Sequence, residues 1–305
     1  MDWENLHAFL EVARNESLTR AARSLGLDDD AVSHRIELLE YRLGTVLFNR
    51  TDDGLSLTEA ARDLVAIAQA MEEAADAFVR QGSADTESSA GTVRVTTGDV
   101  IGIEVLPTLI ADLREAHPDL VIQLEIDNDQ RRRLSSAAHI AVCMFEPSQK
   151  GLLSHFAGPV HVGIFAHQRY LDRAGTPLSI ADLKHHTLLG SQDETQAIRF
   201  MGALGLHLTE RDFAFRTDSQ VGHIAALRAG VGVGVCHAPL AARDPGLVRV
   251  LPSLLDFTLP AWVAMHEDAR NGRSVRIVYD ALVEHMSAYA AGKLFGPGEA
   301  AADQI

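Results

Sequence analysis

Ser17-Leu18-Thr19-Arg20-Ala21-Ala22-Arg23-Ser24-Leu25-Gly26-Leu27, then Asp30 to Leu43, then Phe48-Asn49-Arg50-Thr51-Asp52-Asp53-Gly54-Leu55-Ser56-Leu57-Thr58, are the segments that decide how this chain is built. The first has the apolar spacing of a short helix, closed by Gly26, a residue suited to the left-handed turn that ends helices. Upstream, Asn5 to Ala13 sets Leu6, Phe9, Leu10 and Ala13 on one helical face. Downstream, Asp30 to Leu43 reads as a third helix and Phe48 to Thr58 as a short wing. Helices joined by such a turn form a helix-turn-helix, which is built to place one helix in the DNA major groove.

The chain has 305 residues, which suits two or three domains better than one core. Hydrophobic residues make up 47% and the mean hydropathy is +0.01, values of a soluble globular protein. No apolar run approaches the roughly 20 residues a membrane helix needs. Met1-Asp2-Trp3-Glu4 lacks the basic start and apolar stretch of a signal peptide. With only Cys143 and Cys236, a cytoplasmic location without a membrane partner is expected. Charge argues the other way from the motif. The chain carries −15, and in the helix-turn-helix region Arg14, Arg20, Arg23, Arg35, Arg42 and Arg50 face Asp2, Glu4, Glu11, Glu16, Asp28, Asp29, Asp30, Glu37, Glu40, Asp52, Asp53 and Glu59. Because non-specific DNA affinity comes from basic groups that release counterions, this balance predicts weak, salt-sensitive binding unless a few arginines are well placed.

Thr58 starts a fourth helix that runs to about Gln81, with Ala61, Leu64, Ala68, Met71, Ala75 and Phe78 spaced by three and four. That spacing reads as a dimerising coiled-coil seam, with the stripe of a helix packed on its own domain as the alternative. Residues 82–91, rich in Gly, Ser and acids, read as a hinge. Beyond it strands and helices alternate. Strands are expected at Val93–Thr96, Val121–Ile126, His139–Met144, Val160–Ala166, Thr187–Leu189, Phe213–Phe215, Val231–Cys236, Leu247–Val250 and Ala261–Met265. Helices are expected at Ile103–Glu115, Ile180–Leu183, Thr195–Leu204, Val221–Ala229 and Val275–Ala290. Alternation implies two parallel sheets, joined by crossing strands near Val160–Ala166 and Ala261–His266, with the last helix returning to the first sheet.

The segments Leu18–Leu25, Ala31–Glu40, Leu43–Arg50 and Gly54–Ala60 together resemble the LysR-type transcriptional regulators. Arg228-Ala229-Gly230-Val231-Gly232-Val233-Gly234 and Thr217-Asp218-Ser219 resemble that family's effector domain. The resemblance implies an N-terminal all-α winged helix-turn-helix over 1–58, a long linker helix over 59–81 and a hinge over 82–91. It further implies a C-terminal α/β, two-subdomain, periplasmic-binding-protein-like effector domain. Its subdomains would be 92–160 with 267–292, and 161–266, followed by a tail at 293–305. It implies a homodimer through the linker helix, often a tetramer, that binds double-stranded DNA and a small-molecule effector. Such proteins typically repress their own gene and activate a neighbour, with RNA polymerase as a further partner.

In the third helix Val32, Ile36, Leu39 and Leu43 share one face and should pack inward, which leaves Asp29, Asp30, Ser33, His34 and Glu37 outward. Relatives usually carry an amide or imidazole and then a proline or small residue where this chain has Asp29 and Asp30. A carboxylate accepts from cytosine N4 but repels phosphate. Asp28 is read as the helix cap. Asp29 and Asp30 either join it in stabilising the helix start or alter the DNA contact. Ser33 and His34 are candidate base contacts, with Thr19 and Arg20 on the backbone side. Arg50 is the candidate phosphate or minor-groove contact; a salt bridge to Asp52 and Asp53 is its alternative. Arg35, between the faces, suits a structural role.

In open α/β sheets, ligands bind beyond the carboxyl ends of strands, where helix N-termini point. Here those places are Thr97, Gly98, Asp99 and Ile101, then Ser191 and Gln192, then Ser219 and Gln220. Hydroxyls and amides at helix starts suit a small anion. Asp99 opposes one; it would receive an amine or hydroxyl, or simply cap its own helix.

Gly230, Gly232 and Gly234 lack the strand–turn–helix order of a dinucleotide loop and read as tight packing. The fourteen histidines, including His155, His161, His167 and His185-His186, show no metal-ligand spacing. Arg131-Arg132-Arg133 reads as a solvated helix face. Cys143 and Cys236 are inert buried thiols or a redox pair. No nucleophile elbow or nucleotide motif points to catalysis, and no cofactor is expected. Two rivals remain: a relative with weakened DNA binding that serves as a ligand-responsive interaction protein, and a stand-alone solute-binding protein or enzyme.

Overall fold

The structure, a computed structural model, describes residues 2–51, 54–83, 91–128, 138–149, 151–191, 202, 208–252 and 257–295. It divides into two compact units, Met1–Val79 and Arg80–Ile305.

The first unit opens with helices α1 (Trp3–Asn15), α2 (Leu18–Leu25) and α3 (Asp29–Leu43). Each start is capped by a side chain: Asp2 accepts from Glu4 N, Ser17 from Arg20 N, and Asp28 from Ala31 N at 2.7 Å. Gly26 and Gly44 close α2 and α3 at φ 65° and 66°, a conformation other residues adopt at a cost. The wing is an antiparallel hairpin of β1 (Phe48–Thr51) and β2 (Gly54–Leu57). Leu55 N donates to Glu16 O at 3.0 Å, so the wing is pinned to the end of α1. Helix α4 (Glu59–Ser83) follows, its start held by Thr58, whose Oγ1 accepts from Ala61 N and donates to Val46 O.

Leu6, Phe9, Leu10, Val12, Ala21, Ala22, Val32, Ile36, Leu39 and Leu47 form the core, with Ala61 and Ala68 of α4. Three expectations need correction. Leu43 does not pack inward; it is 43% exposed, and Leu47 beyond the Gly44 turn closes that end of the core instead. The α4 stripe is not one seam either. Ala61, Leu64 and Ala68 pack on their own domain, while Met71 and Phe78 stand out from it. The outward row is Ile67, Met71, Ala74 and Phe78, one residue and so about 100° round the helix from Ala68. Helix α4 also outlasts the expected hinge start, with Gly82 and Ser83 still helical and Gly91 already in a strand.

In the second unit, β3 (Gly91–Thr97) runs parallel to both β4 (Leu120–Ile126) and β5 (Ile140–Cys143). At the other end β7 (Leu188–Ser191) is parallel to β8 (Phe213–Thr217) and β9 (Val233–His237). The long strands β6 (Leu152–His167) and β11 (Phe257–His266) join these wings and are antiparallel to their neighbours. β10 (Leu247–Val250) pairs with β6. The result is one nine-stranded sheet in the order β4-β3-β5-β11-β6-β9-β7-β8, rather than two separate ones. β6 is long enough to pair with β11 along its first part and with β9 and β10 along its second, so the hydrogen-bonded ladder never breaks.

Helices α5 (Leu106–Ala116), α6 (Gln168–Ala174), α7 (Gln220–Arg228), α8 (Ala238–Ala241) and α9 (Arg273–Ala290) cover the sheet. α9 returns to the first wing, where Val275, Val278, Leu282, Met286 and Tyr289 pack on Val93, Val95, Ile140 and Val263. In the second wing Ile164 and Leu188 face one core and Phe165 and Leu189 the other, so that sheet is buried on both faces. The expected helix at 195–204, apart from Gly202, and the Arg131–Arg133 run lie outside the described residues.

Candidate functional site

The face of α3 opposite the core carries the candidate DNA contacts. Asp30, His34 and Glu37 are exposed and Ser33 is half-buried. Asp29 is exposed too, but its Oδ2 accepts from Thr19 Oγ1 at 2.5 Å, so two predicted contacts are joined to each other across the turn. Arg20 reaches back to Asn15 O at 2.6 Å. Arg50 is exposed on β1; Asp52, Asp53 and any bridge to them lie outside the described residues. Arg35 pairs with Glu4 at 2.7 Å, the structural role its position suggested.

Sequence reasoning missed two residues here. Tyr41 is 86% exposed and follows Asp30, His34 and Glu37 at helical spacing, so it extends that exposed face by a turn. Its signal was its place outside the inward row of Val32, Ile36 and Leu39. Glu40 accepts from Leu47 N at 2.6 Å and braces the turn into the wing. Behind the face, Arg14 bonds Glu11 at 2.9 Å and both oxygens of Glu72, which ties α1 to α4. Burial works against the Arg14 charge, but the bonds and charges of Glu72 and Glu11 outweigh it and leave its pKa raised.

The second site lies at the carboxyl ends of the parallel strands. Thr97 ends β3, but its hydroxyl donates to Val142 O at 2.8 Å and is buried. Gly98 O accepts from Gly102 N at 2.9 Å. Ile101 opens a π-helical turn, Ile101–Val105, that leads into α5, and its side chain lies in the first wing's core rather than on a cleft wall. Such wide turns occur often at functional sites. In the second wing, half-buried Ser191 pairs with Thr217, whose Oγ1 accepts from Ser219 N at 3.1 Å. Ser219 caps α7 by accepting from Gly222 N at 3.0 Å, and Gln220 is exposed. Gln192 lies outside the described residues.

Asp99 does not simply cap its own helix. Its Oδ1 accepts from Val100 N at 2.8 Å, while Oδ2 crosses to the second wing and accepts from Val221 N at 3.3 Å and Ser219 Oγ at 3.5 Å. Its own N–H donates to Asn128 Oδ1 at 2.8 Å. Further along the same two helices Arg228 grips Glu104 with two bonds of 2.6 and 3.0 Å, and Arg243 donates to Glu104 O at 2.7 Å. The Arg228 hydrogen bonds hold the Glu104 carboxyl below its ordinary pKa despite burial. Behind them His237 of β9 meets the Tyr289 hydroxyl of α9 at 2.8 Å; burial pushes the His237 pKa down to about 4. Asn128, Glu104 and Arg243 escaped the sequence reading, and Arg228 entered it only within the effector-domain resemblance, because their partners lie far off in the chain.

Gly232 and Gly234 are packing residues: a Cβ would stand 2.1 Å from Thr187 O and 2.6 Å from the His223 ring. Cys143 and Cys236 cannot pair. They sit three strands apart, roughly 14 Å at sheet spacing, against a bridging limit of about 7 Å between α-carbons. Burial pushes both thiols up to about 12.

A helix-turn-helix unit with a wing, followed by a two-subdomain α/β unit with polar groups at its strand ends, defines a ligand-controlled DNA-binding regulator. Residues 3–62 match the bacterial regulatory helix-turn-helix protein model of the lysR family, and residues 86–287 match the LysR substrate binding domain. The chain belongs to the LysR-type transcriptional regulators. It is 29% identical to the regulator CrgA of Neisseria meningitidis serogroup B over 93% of this chain and 96% of that one. It is 33% identical to the Mau operon transcriptional activator of Paracoccus denitrificans, over 48% of this chain and 52% of that one. The solved CrgA structure covers 94% of this chain and 99% of its own at TM-score 0.57 and 24% identity. AphB, a virulence activator of Vibrio cholerae, covers 93% and 99% at TM-score 0.56 and 19% identity, and both show the shared fold. Among the described residues no helix is long and apolar enough to cross a membrane, and no group of three or more His, Cys, Asp or Glu is placed to hold a metal ion.

Proposed function

We propose that this regulator works as a homodimer joined through the outward row of α4, with Asp30, Ser33, His34 and Arg50 meeting DNA. Thr19, Arg20 and Asp29 set the start of α3 against the backbone. The observation that carries this reading is the two-sidedness of α3: Val32, Ile36 and Leu39 are sealed in the core while Asp30 and His34 face outward. The row Ile67, Met71, Ala74 and Phe78 supports the dimer, since its spacing of four, three and four is that of a coiled-coil seam. The effector lies between the two wings, near Thr97, Gly98 and Asp99 on one side and Ser191, Ser219 and Gln220 on the other. A ligand that favours one arrangement of the wings shifts DNA geometry by its differential affinity. The protein controls RNA polymerase at promoters in the cytoplasm and catalyses no reaction. Its domains are 1–58, the linker helix 59–83 and the connecting segment 84–90. The effector subdomains are 92–160 with 267–292 and 161–266, and 293–305 is the tail.

Fluorescence anisotropy on DNA from upstream of its own gene, across a salt series and against unrelated DNA, tests this reading. Specific binding with a shallow slope is expected, since each neutralised phosphate adds only about −0.9 to it. Failure to bind at about 0.1 M salt, with dimers intact by light scattering, would overturn it.

A further inference from the structure

Asp99 is 5% exposed, and no Lys, Arg or His among the described residues pairs with it. A buried carboxylate without a cation needs another source of positive potential. Here the source is the first turn of α7, a nine-residue helix whose Val221 N–H points at Oδ2 and whose cap hydroxyl, on Ser219, joins it. Helix N-termini hold free anions by these same contacts. The bond spans 122 residues of chain and links the two wings. A second link, Glu104 with Arg228, fastens the same pair of helices at the far end of α7. The donors that a bridging anion would use are thus already taken by the chain.

We propose that Asp99 is a tethered anion, occupying the place at the start of α7 where a carboxylate effector would bridge the wings. The cleft therefore closes on the protein's own side chain. An incoming carboxylate meets a like charge and finds Val221 N and Ser219 Oγ engaged. Asp99 is then a specificity residue: it bars carboxylates from this point and selects effectors that are uncharged or cationic there. This rests on the reading that the effector lies between the wings.

Amide exchange of the full-length protein tests it, with formate as the probe and no DNA present. In Asp99→Ala the amides at the start of α7 are expected to exchange on the order of tenfold faster, the worth of one charge-assisted hydrogen bond. Formate at about 50 mM, high because so small a ligand binds at best in the millimolar range, is expected to restore protection in the variant and leave the parent unchanged. Asp99→Ser, a hydroxyl one atom shorter than the carboxylate and so out of reach of Val221 N, is expected to follow Asp99→Ala; it carries the comparison if β6 amides reveal a general folding defect in the alanine variant. Unchanged exchange at α7 in both variants would overturn the latch. Formate protection equal in parent and variant, or absent from both variants, would overturn the surrogate role. Because DNA plays no part, a failure of DNA reading leaves this result separately legible.

Discussion

Replacing Arg14 strands two buried carboxylates. Glu72 and Glu11 have side chains 9% and 3% exposed, and Arg14 bonds both; Glu11 also holds the Ser24 hydroxyl. Removing one partner of a buried pair costs about 3–5 kcal/mol, because the remaining charge loses its main counter-charge where water cannot replace it. Arg14 itself is 25% exposed, so water can reach part of the space it leaves, and a cost of about 2–4 kcal/mol is the better figure for Arg14→Ala. The loss falls on the joint between α1 and α4.

Urea unfolding of the full-length protein at fixed concentration reads this directly. The chain has two tryptophans, Trp3 in this unit and Trp262 in the other, so a Trp262→Phe background leaves Trp3 as reporter. With an m-value near the low end of about 1–3 kcal/mol/M, the midpoint should fall by roughly 2 M. Arg14→Lys keeps the charge but not the fork that reaches two carboxylates, and should fall between parent and alanine variant. Arg14→Ala and Glu72→Ala together should cost less than their sum, with a coupling of about 1.5–3 kcal/mol. An unmoved midpoint, or strictly additive losses, would refute the argument.

Three further outcomes are expected. His237 is held neutral by burial, from 6.5 down to about 4. The unfolded chain therefore takes up its proton first, and stability present above pH 6.5 is lost as pH falls toward 4. Between pH 7 and 5 that amounts to about 2 kcal/mol, and His237→Gln should flatten the profile by that share; an unchanged slope in pH-resolved urea melts rejects it. His223 and His285, also lowered by burial, add to the same trend. Gly232→Ala sets a Cβ against Thr187 O, a carbonyl already held by Val233 N at 2.8 Å, and should destabilise the second unit by about 3 kcal/mol; a Trp262-reported melt within experimental error of the parent contradicts this. Asp30→Asn should strengthen DNA binding roughly fivefold at low salt, the worth of one exposed charge, while Asp29→Asn also loosens the Thr19 bond and should gain less; equal anisotropy titrations for parent and Asp30→Asn would dismiss it.

Periodicity revealed what depends on a single element's own faces. The inward row Val32, Ile36 and Leu39 follows from helical spacing, and Leu247–Val250 was readable to the residue. The first half of β6 was not, because Ser154, His155 and Phe156 are exposed and Gly158-Pro159 reads as a strand breaker. That stretch pairs with β11 through a register shift at Ala261/Trp262 that no local pattern announces. The α4 stripe misled for a related reason: apolar spacing tells that a face is buried, not whether α1 or another chain buries it. Candidate effector residues were found by position at strand ends, yet what Thr97 and Asp99 bond could be known only once β5 and α7 were in place.

The acidity of the reading unit also changes meaning once its carboxylates have places. Asp2 and Asp28 cap helices, Glu4 pairs with Arg35, and Glu11 and Glu72 enclose Arg14. Glu40 holds the turn into the wing, and Asp29 holds Thr19. These charges sit against local positive potential and serve the fold, so a raw count of acids overstates what the phosphates meet. Some arginines are spent in the same way, on Glu4, on Glu72 and on the Asn15 carbonyl. What remains on the outer face of α3 is a short mixed set, Asp30, His34, Glu37 and Tyr41, with Arg50 on the wing. A surface of that kind gains little from non-specific attraction. On the proposed reading its affinity comes from fitted contacts to particular bases, where each good pair discriminates by about 1–3 kcal/mol. Low charge attraction in this unit is thus compatible with selective DNA reading.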